Sequence, residues 1–480
     1  MLAGQAGSRL EGRITGAVAH KLLIIMNIFS GRGLLRAAAV LSIVLSGCGG
    51  ASSPEDDPLA CSNCNVVLVT FDTLRADRLG FYGHEKNTSP ALDAFAREGF
   101  VFTRAVSQSG STATSLPSLL TSKYPFVDKV FESLHMTPGQ VTLADVLRGN
   151  GYHTAAVIGW KYAGSEMGFD QGFDHFDEDW VENESAARTR ERALRVMQDL
   201  RSPFFLWIHF RPPHYPYEAD DDVFAEFYPA AADGPNLQSA GFDEVLARTS
   251  AGESPGEFIL DGKPGVRLTS AMLEQLRAQY DGSIRRADAE FGRLVEHLDA
   301  TESLQDTVVV VASDHGESLG AHGLFDHNYL LYSILHVPLI VRLPSREHAV
   351  FSHPVMNVDI FPTVLRVLGL QHAPAIRGRD LFDTEREDDF QFAEYEDRRT
   401  LIDGEYKLLL RQTPQGLLPP QLHNIVTDPG ETTDLADSMP ERVRRMILLS
   451  NSLQSLESGE APLQEDSKSR EALRSLGYMQ

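Results

Sequence analysis

Positive charge is what this chain most lacks. It has 43 Lys and Arg against 67 Asp and Glu, a formal net charge of −24. That balance excludes a nucleic-acid-binding surface, which needs a basic patch. It also means that an anionic ligand must be drawn by local cations, because the global field repels it. Cysteine is scarce as well: 3 in 480 residues, at Cys48, Cys61 and Cys64. No apolar run after the N-terminal segment is long enough to span a bilayer, and the sequence shows no internal repeat. Hydrophobic content, at 42%, is that of a globular protein. The length suffices for one large α/β domain and a smaller one.

Two short polar turns carry most of the information. Asp72-Thr73 closes the run Val66 to Phe71, and Asp314-His315 closes the run Val308 to Ser313. Both runs are β-branched and almost uninterrupted, as in buried parallel strands. Ligands of open α/β sheets bind just outside the carboxyl ends of strands. Two distant strands thus bring two carboxylates and an imidazole to one edge, which suits a metal site. Taken singly, either turn is equally an Asp capping a loop.

The surrounding segments add to this. NVVLVTFDTLRADRLGFYG (from Asn65), EGFVFTRAVSQSGSTATSLPSLLTSKYP, FFLWIHFRPPHYPY (from Phe204) and YDGSIRRAD (from Tyr280) follow one another. Then come SDHGESLGAHGLFDH (from Ser313), HVPLIVRLP, VDIFPTVLRVLGL and DPGETTDLA, ending at Ala436. In this order they resemble the sulfatase family of the alkaline phosphatase superfamily. The resemblance implies an α/β fold: a large, mainly parallel sheet flanked by helices, over residues 65–385. It implies a smaller subdomain of short antiparallel strands plus a helix over 386–480. Gln391 to Leu410 and Leu422 to Thr427 read as those strands, and Pro440 to Leu456 as the helix. Thr154 to Gly159 and Phe204 to Phe210 read as further strands of the large sheet. Ser89 to Glu98 and Ala271 to Leu298 have helical spacing. Asp220 to Gly265 is acidic and rich in Gly and Pro. It reads either as an insertion over the site or as a solvated loop.

Aligned on Leu119-Leu120-Thr121, the family's nucleophile position falls on Thr112, at the start of a helix. There, free N–H groups and the helix dipole favour an anion. The plain alternative is a Ser/Thr-rich N-cap. Three departures from the family pattern point one way. Thr replaces the Cys or Ser that is oxidised to formylglycine, so no formylglycine is expected. The usual Asp-Asp is Asp72-Thr73, and the usual Asp-Asn is Asp314-His315. Together they resemble the branch with an unmodified Thr nucleophile, as in phosphoethanolamine transferases and some phosphodiesterases. The implied metal set is Asp72, Thr112, Asp314 and His315, holding one divalent ion, with zinc or manganese favoured over calcium by the imidazole. The Arg that often follows the nucleophile falls at Leu116. His214 matches a position that contacts the substrate anion. His327 falls where relatives have a Lys and suits protonation of the leaving oxygen. Lys161 lies one residue from a family lysine and is a further substrate-binding candidate. Arg75 is expected to pair with Asp77 or Asp72, and His209 and His322 to be structural.

The N-terminus reads as a targeting segment, 1–47, with signal character only from Met26, where translation could begin. Arg32 and Arg36 precede the apolar stretch Ala37 to Leu45, and Leu45-Ser46-Gly47-Cys48 resembles a bacterial lipobox. Lipidation at Cys48 would make the protein a cell-envelope lipoprotein held to the membrane by its acyl chains. Gly49 suits outer-membrane sorting, facing the periplasm or the surface. Residues 48–64 form a tether. Its Cys61 and Cys64 suit a disulfide in an oxidising compartment, a redox pair, or half of a zinc site that lacks its second ligand pair. The function expected is a metal-dependent hydrolase or transferase of phosphate, phosphonate or sulfate esters, acting through Thr112. Its partner would be a small anionic ester, free or on a glycan or lipid. The rivals are a sulfatase working without formylglycine and a degenerate member that binds an anionic glycan without turnover.

Overall fold

A computed structural model describes residues 57–132, 135–217, 219–228, 257–260, 263–371, 376–385 and 389–455. The targeting segment and Cys48 lie outside the described residues. All that follows concerns the described residues from Leu59 onward.

The apolar runs form strands as their patterns predict. β1 (Asn65–Phe71) and β6 (Thr307–Ser313) are buried at every position. They belong to an eight-stranded sheet with β2 (Phe100–Phe102), β3 (His153–Ile158), β4 (His175–Asp177), β5 (Phe204–Phe210), β7 (Leu339–Arg342) and β8 (Ala349–Phe351). The order is β8-β2-β7-β6-β1-β5-β3-β4. β7 alone runs against the others.

Continuous apolar strands arise because both faces are covered. With the period of two, Val67, Val69 and Phe71 pack with Phe95 of α1 (Pro90–Ala96), Ala193 of α3 (Ala186–Asp199), and Ile284 and Phe291 of α4 (Ser270–Ala300). Val66 and Leu68 face the other way, onto Leu116, Leu119 and Leu120 of α2 (Thr112–Thr121) and Phe361 and Leu365 of α5 (Ile360–Val367). Each Val, Leu, Ile or Phe among them contributes about 1.5–3 kcal/mol on full burial.

The acidic stretch after Asp220 is not simply a solvated loop. Phe224 and Phe227 of the helix Asp221–Phe227 pack on Ala278 of α4. The strand Glu257–Leu260 pairs in parallel with Leu324–Phe325, just ahead of His327; residues 229–256 lie outside the description. The C-terminal subdomain pairs β9 (Phe390–Tyr395), β10 (Arg398–Asp403), β11 (Tyr406–Thr413) and β12 (Gly416–Leu417) in turn, with β13 (Gln421–Asn424) on β11. α6 (Pro440–Ser455) closes its core through Val443, Met446 and Ile447. Cys61 and Cys64 are joined in a disulfide, with Cα atoms 5.6 Å apart.

Candidate active site

Strand register assembles the site. Phe71 pairs with Ser313 on one side and with Phe210 on the other, and Ile158 pairs with His209. The next residues on β1, β6 and β5 are Asp72, Asp314 and Arg211, so they leave the sheet at one level. Gly159 and Trp160 follow β3 on the same edge.

Asp72, Asp314 and His315 are fully buried, and one ligand atom from each lies within 4.8 Å of the others. His315 Nε2 is 3.7 Å from Asp72 Oδ1 and 3.6 Å from Asp314 Oδ2. Asp314 Oδ1 is occupied, accepting from the backbone N–H of His315 (2.7 Å) and of Thr73 (3.2 Å). Its Oδ2, and Oδ2 of Asp72, are buried with no hydrogen-bond partner. Burial raises the proton affinity of both carboxyls, and for Asp72 so does the neighbouring Asp314. Two orphaned carboxylate oxygens beside a neutral imidazole form a site that a divalent cation fits. His315 Nδ1–H donates to the Gly316 carbonyl at 2.9 Å, which leaves the Nε2 lone pair facing the carboxylates. Burial, and then the charge of His327, hold its pKa down at about 3.

Thr112 completes the cluster. It opens α2, with Ser111 extended at the N-cap, and its Oγ1 lies 3.2 Å from His315 Nε2 and 3.4 Å from Asp72 Oδ1. Two local features fix this placement. A Cβ on Gly110 would sit 2.2 Å from the Tyr329 carbonyl, so only glycine lets the nucleophile loop pass the loop carrying His327. Thr73 takes φ 62°, a left-handed conformation that a β-branched residue disfavours. It is held there by its N–H on Asp314 and by Tyr280, whose hydroxyl donates to the Thr73 carbonyl at 2.6 Å.

The remaining candidates divide. His327 stacks on His315, with centroids 4.7 Å apart, and meets His214 edge-on at 5.1 Å. Burial opposes its charge, but Glu317, 3.6 Å from Nδ1, lifts its pKa to about 9 with help from Asp72 and Asp326. His214 is pushed well below the usual range by burial and by His327 and Arg211. Its Nδ1–H donates to the Tyr215 carbonyl, so Nε2 is the ring's acceptor. Lys161 does not join the cluster. The turn after β3 packs Trp160 against His214 (5.4 Å) and leaves Lys161 exposed, its ammonium over the Trp160 and Tyr162 rings. Arg75 pairs with Asp77, not Asp72. His209 is buried and hydrogen-bonded to Thr70, and exposed His322 meets the Gly430 carbonyl.

Sequence reasoning missed Glu317, Arg211 and Trp160. Glu317 lies two residues beyond His315, and Arg211 directly follows a read strand. A search for charged residues at strand ends would have found both.

The fold and site define a class: an α/β enzyme of ester cleavage, with a helix-start hydroxyl facing an acid–imidazole cluster at the carboxyl edge of its sheet. The chain belongs to the sulfatase family, whose sequence profile matches residues 64–370. It is 24% identical over 399 residues to the ulvan-active sulfatase of Formosa agariphila, covering 76% of this chain and 72% of that one. It is 24% identical over 395 residues to an N-acetylglucosamine-6-O-sulfatase of Bacteroides thetaiotaomicron, covering 66% and 70%. The phosphonate monoester hydrolase of Agrobacterium radiobacter shares the fold, with a TM-score of 0.65 at 20% identity over 82% of this chain and 96% of the other. The chain is thus an enzyme of the class that hydrolyses sulfuric or phosphoric esters.

Proposed function

We propose that the protein is a metal-dependent esterase or transferase that uses unmodified Thr112 as nucleophile and prefers phosphodiester or phosphonate esters to sulfate esters. One observation carries this: the only group on α2 aimed at the Asp72–Asp314–His315 cluster within hydrogen-bonding reach is the Thr112 hydroxyl. Asp72, Asp314 and His315 would hold a divalent cation there, and when bound it would supply a lowered proton affinity at the Thr112 hydroxyl, which answers the weakness of free Thr as a nucleophile. Thr112 Oγ1 gives its proton to Asp72 Oδ1, 3.4 Å away, and bonds to phosphorus while the bond to the leaving alkoxide breaks. Charged His327 gives its proton to that oxygen. A Thr112 phosphoester remains, and water or an acceptor alcohol displaces Thr112 from it. Free N–H groups at the start of α2 face the anion meanwhile. Thr cannot form the hydrated aldehyde that clears sulfate by elimination, so a Thr sulfate ester has only direct displacement open to it.

The test is a side-by-side assay of p-nitrophenyl phosphodiesters, phosphonate esters and sulfates with zinc or manganese supplied. The phosphorus esters should turn over faster. A clear preference for sulfate would favour the second reading, a sulfatase without formylglycine, which the names of the sulfatase relatives support. Metal binding with no turnover of any ester would favour a non-catalytic anion binder, in keeping with the uncharged Thr73 and Leu116. The lipobox ending at Cys48 supports a cell-envelope lipoprotein, and a glycan- or lipid-borne substrate would suit that location.

A further inference from the structure

Helix α2 presents the candidate nucleophile but has no charged residue along TATSLPSLLT. Its Leu116 is fully buried in the apolar core. A cation to grip an anion beside Thr112 must therefore come from another element, in a chain that is strongly negative overall. β5 supplies one. The Asp72 N–H donates to the Phe210 carbonyl at 2.9 Å, so Arg211 emerges directly beside Asp72. Arg211 is 2% exposed. Its guanidinium lies 4.7 Å over the Trp160 ring, and Nη2 donates to the Tyr215 carbonyl at 2.7 Å. Its charge reaches both Asp72 and His214. Trp160 packs in turn on His214, and its own Nε1–H is buried without a partner.

Arg211 thus brings a guanidinium to the same sheet edge as Asp72, on a wall shared with His214. Packing over an indole restricts its planar fork. Trp160 adds an N–H donor from the same wall.

We infer that Arg211, packed over Trp160, is an anion-binding residue of this site and contacts the non-bridging oxygens of the phosphate, phosphonate or sulfate group presented to Thr112. This rests on the reading of the site as an ester-cleaving centre. The competing role is purely local: Arg211 would tether the Pro212–Pro216 loop through the Tyr215 carbonyl.

The test uses the full chain loaded with zinc or manganese, as wild type, Arg211→Gln, Arg211→Lys and Trp160→Leu. Calorimetry with inorganic phosphate gives an affinity that does not depend on turnover, and steady-state assays on a p-nitrophenyl phosphodiester give KM and kcat. Arg211→Gln should weaken phosphate binding about 10- to 100-fold, the usual range for a charge-assisted hydrogen bond, and raise KM, with metal stoichiometry unchanged. Arg211→Lys should recover part of the loss and still fold if the Gln variant does not. Trp160→Leu should weaken phosphate binding less, by freeing the guanidinium. Wild-type phosphate affinity in Arg211→Gln, with or without a lowered Tm, would overturn the inference in favour of the loop tether. So would a wild-type protein that binds no phosphate. Weaker phosphate binding in Arg211→Gln with no ester turnover by any form would uphold this inference and remove the proposed function.

Discussion

At Thr112 a single oxygen separates two chemistries. Thr112→Ala removes the nucleophile but leaves both carboxylates and His315 in place. It should lower turnover by several orders of magnitude, about 10³-fold or more, while elemental analysis still finds one metal per chain. Thr112→Ser should keep a measurable fraction of activity. Loss of the metal in Thr112→Ala would instead mark the residue as a structural ligand. Glu317 is the second residue on which the site depends, since its carboxylate is what keeps buried His327 charged. Glu317→Gln should lower kcat by about 10²-fold, within the range of general acid catalysis, with a smaller change in KM. An unchanged kcat would remove His327 from leaving-group protonation.

Among the elements, the parallel strands were the most legible. β1, β5 and β6 are near-continuous apolar runs, and each ends where its polar turn begins. The site was legible where it sits on those turns: Asp72, Asp314, His315 and, through the helix start, Thr112. Lys161, Arg211 and Trp160 were not. Which side chain enters the cavity beyond a strand depends on the local turn, and the 3₁₀ turn Lys161–Ala163 begins one residue after the Trp that packs inward. The reversed β7 was also hidden, because an apolar run does not reveal its direction.

Loop contacts give a sharper test of the elements. Gly110→Ala must displace either the Thr112 loop or the Tyr329 backbone. It should cost roughly 1–3 kcal/mol of stability, as overpacking does, and depress activity; wild-type activity would show that Gly110 does not set the placement of Thr112. Asp288 on α4 makes a pH-dependent contact. Its carboxylate accepts from the N–H groups of Ala91 (2.9 Å) and Leu92 (2.7 Å) at the start of α1, yet burial lifts its pKa to about 7. In the unfolded chain an Asp titrates near about 3.9, so the folded state binds more protons between these values. Its contribution is therefore complete below about pH 4 and is lost as pH rises through about 7. The stability of wild type relative to Asp288→Asn, read from denaturant midpoints, should fall across that window. A difference that is flat or rises with pH would contradict the shift.

At the scale of the whole molecule, a chain of net charge −24 buries Asp72, Asp314 and His315 together in a cluster that could hold a metal ion. Stripping the metal with a chelator should lower Tm, since the Asp72 and Asp314 carboxylates would face each other uncompensated. Adding zinc or manganese should restore it, and an indifferent Tm would argue against a resident ion. Location is a separate matter: Cys48→Ala should leave the protein soluble or unprocessed, and a processed variant retained on membranes would defeat the lipoprotein assignment. The central claim is that unmodified Thr112 carries the covalent bond to phosphorus. Its most direct test is an acid quench of the metal-loaded enzyme during turnover of a phosphodiester, followed by peptide mass spectrometry. The account predicts a phosphoester on the peptide containing Thr112, absent from Thr112→Ala. An adduct on another residue during turnover, or an oxidised side chain at position 112, would contradict it.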